Sequence, residues 1–592
     1  MSKLKKYSLL FIAILMVAVS ALSVYAAEPT SGSLTIILHE QKNGDTTTNP
    51  VMEGIEYTIY DEDYNEIDVA TTNYEGKVVF SNLALGKYCV EVSNIKDGVS
   101  NLPDRFWIEI PRTNAEGNGF DYDIIVEPKI QTAFGDFKLV KSDTSGNPIE
   151  GVTFKMQAKL EGGVNSVAGY EWEDYIPEGE EEVVTITTDA NGTINLNNLP
   201  SSLYWDSGEL QTAILFRLVE ISAPEGYIIN NNILSQLYWK MNAEGEIEFQ
   251  SSINSEFFEV IEDADGNIMG IEYTNEKPEI TKQVKNSAGT FVDVAGINAI
   301  DTVSFKITAD VPLQIEDIST YKITDSLPQG LILDRDSIKV EAITLDGTLE
   351  VPEYVYTLSD TGLELDFDTS EMAHPQTGEP FCSSIIVTYN ATVDMENITI
   401  GGEGNVNTVT LEYTDKIAED GSEEDTTTTT DVANVHTGAL KIEKVEKGNL
   451  TNKLAGAKFK IATTKANAEA GTFVKDAQGN DIEVTTDENG FAEIKGLAYA
   501  DDTSDTSYWL VETQAPTYEE TVDGQKVTKS YNLLKNPLEV QVGKTTYNTA
   551  VQVQNSKGLD LPATGGIGIA IFAVVGITLM VISKKMNKEE VK

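Results

Sequence analysis

Phe137-Lys138-Leu139-Val140-Lys141, followed by Ile149-Glu150-Gly151-Val152-Thr153-Phe154, returns three hundred residues later. The second copy is Leu440-Lys441-Ile442-Glu443-Lys444, followed by Leu454-Ala455-Gly456-Ala457-Lys458-Phe459. In both copies apolar and polar residues alternate, the period of a strand with one buried face. Each copy runs on to a turn, Asp189-Ala190-Asn191-Gly192 or Asp487-Glu488-Asn489-Gly490. Each then reaches a matching strand, Leu218-Val219-Glu220-Ile221-Ser222-Ala223-Pro224 or Leu510-Val511-Glu512-Thr513-Gln514-Ala515-Pro516. A weaker copy begins at Leu34-Thr35-Ile36-Ile37-Leu38 and Met52-Glu53-Gly54-Ile55-Glu56-Tyr57. Helical periodicity is scarce. Short strands separated by turn signals, in repeated units, predict an all-β chain of tandem β-sandwich domains. Residues 277 to 437 lack the repeat and read as a longer all-β unit. The expected domains are 28–129, 130–276, 277–437 and 438–557.

Composition narrows the function classes. With 592 residues the chain is too long for one core. A formal net charge of -53 argues against nucleic acid as a partner and suits a soluble, self-repelling exported protein. A 41% hydrophobic content is that of a folded chain, so the acidity decorates surfaces. The two cysteines, Cys89 and Cys382, fall in different expected domains, so a disulfide is not expected. His39, His374 and His436 show no metal spacing, and no catalytic or phosphate-loop motif is present. No cofactor, no metal and no turnover enzyme are expected. Asp263-Ala264-Asp265-Gly266-Asn267 has a faint calcium-loop look but reads better as a hairpin turn.

The two ends read as processing signals. Lys3, Lys5 and Lys6 precede an apolar run from Leu9 to Leu22 and the small residues around Ala26. This pattern predicts a secretory signal peptide over residues 1–26. At the other end, Leu561-Pro562-Ala563-Thr564-Gly565 precedes an apolar span, 567–583, and a basic tail from Lys584. Residues 561–592 resemble the LPXTG sorting signal of Gram-positive surface proteins. That resemblance implies cleavage by a sortase between Thr564 and Gly565, transfer of the Thr564 acyl group to an amine, and only a transient membrane span and sorting helix.

Strand parity singles out charged residues among core positions. Lys141 shares a face with Phe137 and Leu139, and Lys444 with Leu440 and Ile442. Glu220 lines up with Phe216 and Leu218, and Glu512 with Tyr508 and Leu510. Asn275 follows Ile271 and Tyr273, and Asn555 follows Val551 and Val553. Lys138 and Lys441 have the opposite parity and serve as controls. Burying Lys and Glu is costly unless they are paired, and burial drives both toward their neutral forms. A neutral amine is a nucleophile, and a neutral acid can donate to the Asn carbonyl and shuttle protons. The expected reaction is attack of the lysine on the carboxamide, with loss of ammonia and formation of an isopeptide bond. Both units resemble Cna-B domains, in which this reaction is spontaneous, so the sandwiches are expected to be Ig-like/Cna-type. The carry-over is Lys141–Asn275 with Glu220, and Lys444–Asn555 with Glu512, the carboxyls acting as autocatalytic acids.

Residues 277–437 resemble the larger isopeptide-forming (Cna-A-like) domain of fimbrial proteins. Lys282 and Asn407 are the expected pair, with Asp325 as the acid; Asn405 and Asn434 remain alternatives. The first domain has Leu38 in the lysine's place and no closing Asn, with Glu91 where the acid would be, and no crosslink is expected there.

The first domain ends Val126-Glu127-Pro128-Lys129. Lys129 falls opposite Val126 in parity and should point outward. The stretch resembles the pilin motif of sortase-assembled backbone pilins, whose lysine accepts the Thr acyl group of the next subunit. The resemblance implies a major (shaft) pilin, anchored in the cell wall and extracellular. Its implied partners are a sortase, identical subunits in a covalent polymer, minor pilins, peptidoglycan and a host receptor or matrix ligand. The rival readings are a monomeric wall-anchored adhesin, with the same domains but a silent Lys129, and a minor pilin at base or tip.

Overall fold

The computed structural model describes residues 28–558 apart from 161–170, 178–179, 202–204, 207–208, 211–213, 243, 252–256, 345–348, 351–353, 360, 374–379, 500–503 and 523. The signal peptide, Leu561, Pro562, Thr564, Gly565 and the apolar span at 567–583 therefore lie outside the described residues. Among those described, no helix is long and apolar enough to cross a membrane. The fold is almost wholly β. The chain divides into two compact units, Met1–Lys277 with Thr414–Thr426, and Pro278–Tyr413 with Thr427–Lys592.

Two sandwiches make up most of the first unit. In the first, Ser31–Ile37 lies between Asp123–Val126 and Lys77–Ala84. A second sheet is ordered Glu66–Thr71, Glu56–Tyr60, Gly86–Asn94, Phe106–Ile110. Leu34, Ile36, Tyr57, Phe80 and Val90 fill the space between them. In the second sandwich, Phe134–Asp143 lies between Thr193–Pro200 and Ile268–Asn275, and it runs parallel to the latter. The opposing sheet centres on Thr153–Leu160 and Ile214–Ser222. Phe137 stacks on Trp239 across the core at 3.7 Å between ring centroids.

The second unit holds a larger sandwich and a smaller one. In the larger, one sheet joins Ile280–Lys285, Thr302–Asp310, Cys382–Val393 and Leu331–Thr344. The facing sheet sets Tyr321–Ser326 between Asn405–Ile417 and Gly362–Phe367. The smaller sandwich repeats the second one's plan. Gly438–Glu446 lies between Phe491–Leu497 and a parallel Val551–Asn555, opposite Lys458–Ala462 and Thr506–Gln514.

The repeated turns have a physical purpose beyond reversal. Asp189 Oδ1 accepts from the amides of Asn191 and Thr193 at 2.9 and 2.8 Å. Asp487 does the same for Asn489 and Phe491. Gly192 and Gly490 adopt φ of 67° and 76°. Their carbonyls accept from the amides of Lys141 and Lys444, each at 2.7 Å. A Cβ at Gly192 would stand 2.2 Å from the Lys141 carbonyl oxygen, so only glycine lets the turn close on that strand. Asp263 likewise turns inward onto the amides of Asp265 and Asn267, as a hairpin turn does. Cys89 and Cys382 are buried and form no disulfide.

Candidate functional site

Three polar clusters sit in the cores of these sandwiches. In the second sandwich, Lys141 pairs with Tyr273 on the neighbouring parallel strand, which places Asn275 two residues further on. Lys141 Nζ donates to Asn275 Oδ1 at 2.5 Å, and Asn275 Nδ2 donates to Glu220 Oε1 at 2.6 Å. Lys141 Nζ lies 3.8 Å from Glu220 Oε2. Glu220 comes from the opposite sheet, and the Asn231 side chain grips its backbone at both N–H and C=O. The Lys141, Glu220 and Asn275 side chains are all essentially sealed from solvent. Glu220 Oε2 is buried with no hydrogen-bond partner among the described residues.

The fourth sandwich reproduces this geometry with the same register. Lys444 faces Val553, and Asn555 again lies two residues on. Lys444 Nζ donates to Asn555 Oδ1 and lies 3.1 Å from Glu512 Oε1. Asn555 Nδ2 donates to Glu512 at 2.9 and 3.1 Å. The amide of Leu534 also donates to Glu512 Oε2 at 2.7 Å. The control lysines Lys138 and Lys441 fall on the half-exposed faces of their strands.

Burial sets the electrostatics. It lowers Lys141 to about 8, against the pull of the Glu220 charge. It pushes Glu220 up, opposed by Lys141 and by the Asn275 amide. Lys444 is lowered by burial too, with Glu512 opposing. Moving one proton from Lys141 to Glu220 would give both groups the neutral form that burial favours. In both clusters the carboxyl meets the amide nitrogen, not the carbonyl oxygen expected from the sequence. The reason is competition: the lysine occupies the oxygen, leaving the NH2 group to face the acid. That contact puts the proton donor beside the nitrogen that would leave.

The third cluster is built differently. Lys282 lies in one sheet, on Ile280–Lys285, while Asp325 and Asn407 lie in the facing one. Lys282 Nζ donates to Asp325 Oδ2, and burial lowers the lysine and raises the aspartate. Lys282 reaches Asn407 through Tyr389. The Tyr389 hydroxyl donates to Asp325 Oδ2 at 2.6 Å. It accepts from Asn407 Nδ2 at 2.7 Å and from Lys282 Nζ at 3.1 Å. Asp325 Oδ1 and Asn407 Oδ1 are buried without hydrogen-bond partners among the described residues. Asn405 is instead spent on the backbone of Thr399 and Val435, and Asn434 donates to the Glu403 carbonyl. Sequence parity missed Tyr389, because a tyrosine alternating with Val387 and Ala391 reads as ordinary core.

The first sandwich has no such cluster. Leu38 is fully buried in the lysine's place. The acid's place is held by Val92, which pairs with Tyr57 as Glu220 pairs with Phe154 and Glu512 with Phe459. Glu91 was expected there, but it is one residue out of phase and half-buried between inward-facing Val90 and Val92. Lys129 is exposed and opens the strand Lys129–Thr132, opposite His39 on His39–Lys42. The next residue, Ile130, is fully buried and pins that strand down.

No curated protein sequence matches the chain. Among solved structures, the BcpA major pilin subunit of Bacillus cereus is similar at 21% identity, covering 72% of this chain and 99% of that one, with a TM-score of 0.41. The full-length major pilin SpaD of Corynebacterium diphtheriae is similar at 17% identity, covering 72% and 98%, with a TM-score of 0.44. The T6 backbone pilin of Streptococcus pyogenes is similar at 19% identity, covering 69% and 80%, with a TM-score of 0.41. A family described as the SpaA prealbumin-like fold domain matches residues 39–118, 135–249 and 438–557. Those three stretches make up more than half of the sequence, and the chain belongs to the SpaA prealbumin-like fold domain family.

Proposed function

We propose that this chain is the shaft subunit of a covalently polymerised surface pilus. A sortase joins Thr564 of one subunit to the Lys129 amine of the next, and wall anchoring uses the same Thr564 acyl group. Within each subunit, Lys141–Asn275, Lys282–Asn407 and Lys444–Asn555 condense to isopeptide bonds, with Glu220, Asp325 and Glu512 as the respective acids. Each condensation happens once and consumes its own residues, so the role is structural rather than that of a turnover enzyme.

The observation that carries this reading is the distribution of the clusters. The chain between Lys129 and Thr564 contains three sealed Lys–carboxyl–Asn clusters. The sandwich before Lys129 has Leu38 and Val92 where the lysine and acid would be. Tension applied at Lys129 and Thr564 runs along the segment that holds the clusters and bypasses the one that lacks them. A bond between residues 134 apart in the second sandwich, or 111 apart in the fourth, also closes a long loop. By analogy with disulfides each closure stabilises its domain by roughly 4–5 kcal/mol. Such bonds resist reduction and serve a chain whose two cysteines form no disulfide.

The test is the mass of the unfolded chain, made in a host without sortase. Loss of three ammonia molecules supports the reading. Loss of two, with Lys282 and Asn407 recovered in separate peptides, removes the third bond. No loss removes the crosslinks altogether. Polymerisation is tested separately: ladders of high mass in wall extracts should vanish in a Lys129→Ala strain. Ladders that persist would rule out Lys129 as the acceptor.

A further inference from the structure

We propose that Tyr389 is a catalytic residue of the third crosslinking site, carrying a proton between Asp325 and the departing nitrogen of Asn407. The inference rests on the reading that Lys282 and Asn407 condense, and it adds a fourth participant to that site alone.

The geometric reason is reach. Glu220 and Glu512 each touch the amide nitrogen of their asparagine directly. Asp325 is one methylene shorter, and among the described residues its carboxylate hydrogen-bonds to Lys282 and Tyr389 rather than to the Asn407 amide. The Tyr389 hydroxyl fills the interval, in hydrogen-bond contact with Asp325 Oδ2, Asn407 Nδ2 and Lys282 Nζ. Its ring is held by stacking on Phe305, with centroids 5.3 Å apart, so the hydroxyl has little freedom to leave. The nucleophile, the proton store and the leaving group thus meet at one oxygen atom.

The protons balance as follows. Lys282 passes a proton to Asp325, giving an amine and a carboxylic acid. The amine attacks Cγ of Asn407 and the new C–N bond forms. Tyr389 gives its hydroxyl proton to Nδ2 and takes one from Asp325. The Cγ–Nδ2 bond breaks and ammonia leaves. The surplus proton on the former lysine nitrogen returns to Asp325, so the phenol ends as it began and the aspartate holds the proton that came from Lys282 until the departing ammonia carries it off as ammonium. Neither an oxidant nor a cofactor is required.

The experiment compares the full chain with its Tyr389→Phe variant by peptide mapping over time. The Lys141–Asn275 and Lys444–Asn555 peptides serve as internal references. Phenylalanine keeps the ring against Phe305 and removes only the hydroxyl, and near-UV circular dichroism checks that packing is retained. The expected result is a third bond at least 100-fold slower in the variant, with the other two unchanged. A third bond formed at the wild-type rate overturns the relay. If the wild type never forms the third bond while forming the others, the underlying reading of that site fails instead. A second variant tests reach: adding Asp325→Glu to Tyr389→Phe should restore the bond, because a glutamate can contact the amide unaided. A folded double variant as slow as Tyr389→Phe alone overturns the reach argument.

Discussion

The cluster around Lys141 and the cluster around Lys282 use the same three kinds of residue in two different frames. Around Lys141, lysine and asparagine are neighbours on parallel strands of one sheet, and only the acid comes from across the core. Around Lys282, the lysine stands in one sheet while the acid and asparagine share the other. The first frame brings amine and amide together through strand register alone, so a glutamate can complete it. The second must bridge the sandwich, and a tyrosyl hydroxyl occupies the gap left by a shorter acid. The Lys444 cluster follows the first frame to the residue. An amine, a carboxyl and an amide are thus gathered into one dry space by more than one arrangement of strands.

The largest effect should come from removing an acid in the first frame. Glu512→Ala leaves Lys444 buried without its carboxylate and should prevent the proposed bond. The loss of loop closure alone, roughly 4–5 kcal/mol, should lower the melting temperature of that sandwich by about 15 °C or more. A calorimetric transition that stays in place would show that the cluster does not bear on stability.

Exchanging acid lengths probes the comparison directly. Glu220→Asp withdraws the carboxyl from Asn275 with no hydroxyl to replace it, so the Lys141–Asn275 bond should form at least tenfold more slowly in a mass time course. An unchanged rate would mean that reach is irrelevant and the two frames are equivalent.

The lowered Lys141 makes a prediction with a definite sign. Its folded value, about 8, lies below its ordinary value of 10.5, so folding releases a proton in that interval. In an Asn275→Ala variant, where no bond forms, stability contributed by this group should rise as pH climbs from 8 to 10.5. Below 8 the full cost of burying the charge remains. The gain amounts to roughly 3 kcal/mol, read from urea melts. Glu220 shifts the opposite way, contributing stability that is lost as pH rises through its raised folded value, and its charge attenuates the lysine's shift. Adding Lys141→Met should abolish the alkaline slope; a slope that survives belongs to other groups.

Smaller effects belong to the scaffold. Gly192→Ala forces a side chain into positive φ against the Lys141 carbonyl and should cost about 1–3 kcal/mol in denaturant melts. Lys138→Ala, on the half-exposed face of the same strand, should change stability by less than about 0.5 kcal/mol and leave the ammonia loss intact. If it prevented the bond, the parity argument would be wrong.

Alternation along single strands was enough to separate Lys141 from Lys138, and Lys444 from Lys441, because side chains on a strand point to opposite faces with a period of two. The same rule aligned Glu220, Glu512, Asn275 and Asn555 with core residues, and the repeated turns announced where the strands reverse. Other features lay beyond that rule because they depend on pairing between strands and on facing sheets. Parity left Asn405 and Asn407 equivalent; the hydrogen bonds of Asn405 to Thr399 and Val435 engage it outside the Lys282 cluster. Glu91 was misplaced by one residue, since only the register of Tyr57 with Val92 reveals which side chain faces the core. Tyr389 looked like any buried aromatic until the opposite sheet brought Asp325 and Asn407 to its hydroxyl. Local periodicity and the cost of burying charge dictate which groups are driven inward, and both are legible along a single strand. Which of them meet, and through which atoms, was decided by tertiary structure, because the contacts join residues far apart in the chain across a gap that no single strand describes.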